Sequence, residues 1–162
     1  MKGICTDNPG IENLISKGLV YVDKTDALHA LIADPAASQF FLSRPRRFGK
    51  SLMLSTLKCI FEGRRELFRG LKIEKKKYDW KEYPVVMLDM SKAKGDTPEK
   101  LEAVLLGMVL RMARSFGVRL VRTDRVTAAS AFAAFLEGLA KAKGEYVVLV
   151  DEYDVPLQGF FG

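Results

Sequence analysis

Hydrophobic and polar positions change their period several times along this chain, and each change marks an element. IENLIS at 11–16 has the spacing of a short helix. GLVYVDKT follows, extended at Tyr21, Val22 and Asp23, with Thr25 placed to cap a helix over 27–32 that Asp34-Pro35 closes. QFFLSR at 39–44 is a short apolar run bounded by Pro45, which predicts a buried strand. After Gly49 the pattern becomes helical in SLMLSTLKCIFEG, ending near Gly63. Residues 64–83 are basic, with Leu67, Phe68, Leu71 and Ile73 as expected anchors and Trp80 expected beneath the next strand. That strand is the apolar run over 84–90. Thr97-Pro98-Glu99 then supplies a cap, a first-turn proline and an acid, opening a helix that stops at Gly117. GVRLVRTDR at 117–125 follows neither period. A helix over 127–143 buries Phe132, Phe135, Leu136 and Leu139 and ends at Gly144. The β-branched run at 146–150 predicts a second buried strand, ending in Asp151, Glu152 and Asp154. Strands alternating with helices predict an α/β fold with a parallel sheet covered by helices.

With 162 residues, 48% of them hydrophobic, the chain suits one domain with a real core. The net charge of +6 favours anionic partners, whether nucleotide, nucleic acid or an acidic surface, with a solvated basic face as the alternative. Cys5 and Cys59 form no CxxC pair, and the single histidine, His29, is distant from both in sequence, which argues against zinc. His29 lies within LHALI and reads as structural or surface. The start of the chain has Asp7 and Glu12 where a signal peptide is apolar, and no apolar run is long enough to cross a bilayer. The expectation is a soluble, cytoplasmic protein without a membrane partner.

RPRRFGKS at 44–51 ends like the phosphate-binding pattern G-x-x-x-x-G-K-[ST] but starts unlike it, with Arg44 where the first glycine would stand. A phosphate cradle needs inward N–H groups, a helix N-terminus facing the anion and a cation for the β- and γ-phosphates. Gly49 permits close backbone approach, Lys50 is the cation, Ser51 offers a hydroxyl to magnesium, and the helix supplies its dipole. Arg44-Pro45 makes the loop entrance stiff. Arg44, Arg46 and Arg47 either add charge beside the phosphates or face solvent. VVLVDE at 147–152 has the form of a Walker B strand: Asp151 holds magnesium, and Glu152 polarises the attacking water. The bland alternative is a core strand ending in a solvated acidic turn. Asp89, at the end of the 84–90 strand, faces the same strand-end crevice or acts as a loop cap, the preferred reading. Tyr21 is a candidate for stacking on a base, with core packing as the alternative.

YVDKT at 21–25, FLSRPRRFGKS at 41–51, LFRGL at 67–71, YPV at 83–85 and VDEYDVPL at 150–157 together resemble the AAA-ATPase-like family of bacterial and archaeal proteins. The likeness covers nearly the whole chain. In that family arginine at the start of the loop is the norm, and the segment is taken as the Walker A motif. The resemblance implies a P-loop NTPase-type parallel sheet flanked by helices, with residues 1–36 leading into the P-loop strand of a single domain over 1–162. It implies ATP and Mg2+ as ligands. The loop, Phe48 and Leu52 included, contacts the nucleotide; Lys50 and Ser51 take phosphate and magnesium; Asp151 and Glu152 take the Walker B roles. Full-length members resemble larger proteins whose C-terminal part looks like a PD-(D/E)XK nuclease. No segment after residue 157 supplies the sensor-bearing strand, an arginine finger or that nuclease part, so the chain reads as an N-terminal fragment, incomplete at the C-terminus. Without the middle strand, two apolar edges are expected to lie unpaired and to lower stability.

The leading reading is an ATP-binding module of an AAA-like ATPase, hydrolysing ATP with Mg2+ in the complete protein. The alternative is a nucleotide-binding regulatory module with negligible turnover, controlling an absent nuclease domain. Binding survives truncation more readily than hydrolysis, because the cradle is local. A small-molecule kinase would need a lid and an acceptor pocket, and the sequence marks neither. KIEKKKYDWK at 72–81 fits nucleic acid by charge, but such binding would be nonspecific, and a solvated face is the preferred reading. Self-association is left open.

Overall fold

The computed structural model describes residues 3, 10–33, 39–42, 48–121 and 126–158, the side chains of 157 and 158 excepted. The chain divides into two compact units, Met1–Tyr83 and Pro84–Gly162.

In the first unit, helices α1 (Ile11–Ser16), α2 (Thr25–Ile32) and α3 (Lys50–Phe61) are followed by two 3-10 turns, Arg65–Phe68 and Lys72–Lys75. Ile11, Leu14, Leu28, Leu57, Ile60, Phe68 and Ile73 are buried. The Ile11 N–H donates to Ser55 Oγ at 3.1 Å, fixing the start of α1 on α3. Gly63 ends α3 with φ 70°, and an added Cβ there would lie 2.6 Å from Glu82 Cγ, so both conformation and space demand glycine.

Thr25 is not the cap: the N-cap of α2 is Lys24, and the side-chain acceptor comes from Asp23 before it. Thr25 is already helical, and Asp23 Oδ1 accepts from its N–H at 2.9 Å and its hydroxyl at 2.7 Å. The same carboxylate accepts from the Lys72 N–H at 2.7 Å through Oδ2, while Thr25 Oγ1 accepts from the Ile73 N–H at 3.0 Å. YVDKT thus clamps the second 3-10 turn onto α2.

One expectation fails in this unit. Residues 39–42 form no strand, and Phe40 and Phe41 are 51% and 72% exposed. A short apolar run becomes a strand only where a partner ladder satisfies its backbone, and among the described residues no strand pairs with it. Trp80 packs in its own unit, its ring 5.3 Å from both Phe68 and Tyr78.

The second unit runs β1 (Val85–Asp89), a 3-10 turn at Met90–Lys92, α4 (Pro98–Ser115), α5 (Ala128–Lys143), β2 (Val147–Asp151) and α6 (Val155–Gln158). β1 and β2 are parallel, in register from Val85↔Val147 to Asp89↔Asp151, so the connection crosses over through α4 and α5. Thr97 caps α4 by accepting from the Lys100 N–H, with Pro98 next in the first turn. A capping box between Thr127 and Ser130 opens α5, and Glu102 of α4 accepts from the Ala128 N–H. The core joins Val86 to Val109, Ala113, Ala131, Phe135 and Leu139, with Phe132 and Leu136 half-buried beside it. Gly138 lets α5 approach Val118, whose Cγ1 would sit 2.6 Å from an added Cβ. The result is a small parallel sheet flanked by helices.

Candidate functional site

The loop residue Gly49 takes the left-handed conformation, φ 75° and ψ 26°, and its carbonyl accepts from the Met53 N–H at 3.0 Å. Among the described residues nothing lies within 4 Å of where its Cβ would be, and the positive φ alone calls for glycine at this turn. The turn starts α3 with Lys50, Ser51 and Leu52 as its first residues, all partly accessible, and Phe48 exposed before it. The opening N–H groups of any helix lack intrahelical acceptors. Glycine has no side chain to cap them, and the first turn of α3 contains no acid. The positive end of the helix therefore keeps its attraction for an anion, beside the Lys50 charge. Arg44, Arg46 and Arg47 lie outside the described residues.

Tyr21 reaches α3 one turn further along. Burial pushes its hydroxyl up, partly offset by a hydrogen bond with the Thr56 side chain. Thr56 in turn donates to the Leu52 carbonyl at 2.7 Å. Tyr21 is thus a core contact on α3 through Thr56.

In the second unit, β2 ends at Asp151, only 7% exposed, whose Oδ1 accepts from the Glu152 N–H at 3.0 Å. Glu152 has φ 51°, a region that L residues other than Asn and Asp seldom occupy. Its carbonyl accepts from the Val155 N–H at 3.1 Å, turning the chain into α6. Asp89 stands opposite Asp151 in the register. Its Oδ1 accepts from the Ser91 N–H at 3.1 Å and from the Ser91 hydroxyl, and Lys92 Nζ lies 3.0 Å from Oδ2. Those Ser91 bonds hold the Asp89 carboxyl below the usual range against opposing burial, with Lys92 adding to them. Asp89 is thus a cap of the Met90–Lys92 turn.

Among the described residues no group of three or more His, Cys, Asp or Glu could hold a metal ion. Magnesium binds through few protein oxygens, completed by phosphates and water, so the Ser51 hydroxyl and the Asp151 carboxylate are donors of the right chemistry. His29 is structural: its Nε2 lies 3.2 Å from the Lys77 carbonyl and its ring meets Tyr78 edge-on. Reading the sequence missed the Asp23–Thr25 clamp, although the Asp-x-Thr spacing before a helix was its signal. No helix among the described residues is long and apolar enough to cross a membrane.

The family model for AAA-ATPase-like proteins, described as "Predicted AAA-ATPase", matches residues 9–162. An uncharacterized protein in the vnfD 5' region of Azotobacter chroococcum mcd 1 is 35% identical over 139 residues, which is 85% of this chain and 26% of that protein. The chain therefore spans about a quarter of that relative's length. No solved structure matches it.

Proposed function

Because the chain belongs to the AAA-ATPase-like family, we propose that it binds ATP through Gly49, Lys50 and Ser51 and that the whole protein hydrolyses it. The observation that carries this reading is the left-handed Gly49 leading into an acid-free helix start with Lys50 and Ser51 in its first turn. Phe48 and Leu52 border the phosphates, Arg44, Arg46 and Arg47 add positive charge, and Tyr21 contributes near the base. Lys50 neutralises the β- and γ-phosphates. The Ser51 hydroxyl and the Asp151 carboxylate are each an oxygen donor that Mg2+ would accept, and the ion would draw negative charge from the phosphate oxygens. Glu152 accepts a proton from water as the water oxygen bonds to the γ-phosphorus. The bond from that phosphorus to the β–γ bridging oxygen breaks, and its electron pair leaves with ADP.

The regulatory reading, binding with negligible turnover, draws on residues 39–42, which form no strand although the helix start after them is built. In either reading a C-terminal nuclease-like part or self-association would belong to the longer protein. Phosphate release separates the two. Glu152→Gln should keep ATP affinity and lower turnover by at least about a hundredfold if Glu152 is the base. Equal, negligible turnover in both proteins supports the regulatory module.

A further inference from the structure

A shallow cavity of about 310 Å³ is lined by Arg65, Glu66, Arg69 and Glu74, from the two 3-10 turns of the first unit and the link between them. Both of its carboxylates are engaged. Glu66 accepts from Arg64 Nε at 2.7 Å, and Glu74 accepts from the Gly70 N–H at 2.7 Å. Arg65 and Arg69 are exposed and make no ion pair with any described residue. Lys75, Lys76 and Lys77 follow directly, also exposed and also unpaired among the described residues. This contrasts with Lys58, Arg64, Lys72 and Lys100, each held by a carboxylate. The base under these cations is firm. Phe68 and Ile73 are fully buried, and the Asp23–Thr25 clamp grips the second turn at the Lys72 and Ile73 N–H groups.

We infer that this face binds the phosphate backbone of nucleic acid without sequence preference. Two guanidinium groups in a concavity match phosphodiester oxygens, and the lysine run adds point charges for neighbouring phosphates. Base stacking contributes nothing, because Tyr78 and Trp80 pack on one another and Trp80 packs on Phe68. None of the exposed large apolar side chains falls within 64–79, so the face lacks the wedge with which peripheral proteins enter a lipid surface.

The test is fluorescence anisotropy with a short labelled single-stranded oligonucleotide, from about 50 to about 200 mM salt. The wild-type chain should bind at low salt. Combined Lys75→Glu, Lys76→Glu and Lys77→Glu should weaken binding about tenfold or more and flatten the log–log salt slope by about 2. Arg65→Glu with Arg69→Glu should weaken it similarly. Lys141→Glu with Lys143→Glu, in the last turn of α5, should leave it unchanged. Circular dichroism checks that each variant is folded. The inference is overturned if the wild type does not bind at low salt, if the folded charge variants bind equally well, or if phosphatidylserine vesicles are bound in preference to the oligonucleotide.

Discussion

The Glu152 backbone N–H donates to the Asp151 carboxylate at 3.0 Å, while Glu152 itself turns into left-handed space at φ 51°. A residue with a Cβ costs about 1–2 kcal/mol there relative to glycine. The chain thus keeps a carboxylate where conformation alone favours glycine, immediately after a buried strand-end acid. Strain of this kind gathers at functional positions.

Substitutions can separate that conformational cost from the proposed chemistry. Glu152→Gly should melt higher than Glu152→Ala, by a difference of about 1 kcal/mol in denaturant titration. Both variants should lack hydrolysis. Equal stability of the two would mean that the turn relaxes and carries no strain.

The Asp23 clamp predicts an acid-sensitive first unit. Burial acts to raise the Asp23 carboxyl, but hydrogen bonds from Thr25 and Lys72 outweigh it and hold the group below its ordinary range. A depressed folded-state value stabilises above the unfolded value of about 3.9 and is lost as pH falls through the folded one. Unfolding followed from neutral pH to below about pH 4 should therefore show an acid limb that is shallower in Asp23→Asn. Thr25→Val leaves the buried Ile73 N–H without its acceptor and should cost about 1–3 kcal/mol at neutral pH.

Cys59 should be inert in the native state. It is 1% exposed, and burial pushes its thiol up to about 11. At about pH 8 roughly one thiol in a thousand would be ionised. In a Cys5→Ser background, thiol labelling should proceed only as the protein unfolds. Rapid native labelling would show that the α3 core opens readily.

Much of the fold was legible because its signals are local. Thr97-Pro98-Glu99 and Gly144 marked the helix ends where α4 begins and α5 stops. The β-branched runs became the paired strands β1 and β2. Gly49-Lys50-Ser51 announced a turn entering a helix, and that turn is present. The strand expected over 39–44 misled at its described residues, 39–42, because so short a run fits a strand, a helix or an exposed link equally well, and only a pairing partner decides among them. The ring partners of Trp80 within its unit, Phe68 and Tyr78, were not legible, because nothing in the local sequence pairs these aromatics. Asp89 followed its local chemistry: an acid two residues before a serine folds back as a cap. The arginines at 44, 46 and 47 lie outside the described residues, so their roles rest on the family pattern.

The central claim is that Gly49, Lys50 and Ser51 cradle a nucleotide's phosphates. Calorimetric titration of ATP with Mg2+ into this chain, beside Lys50→Ala, tests it most directly. The account predicts saturable binding by the wild type and a loss of at least about tenfold in affinity in the variant, the cost of one charge-assisted phosphate contact. A folded wild-type chain that takes up no ATP, or a variant that binds as tightly, would contradict it.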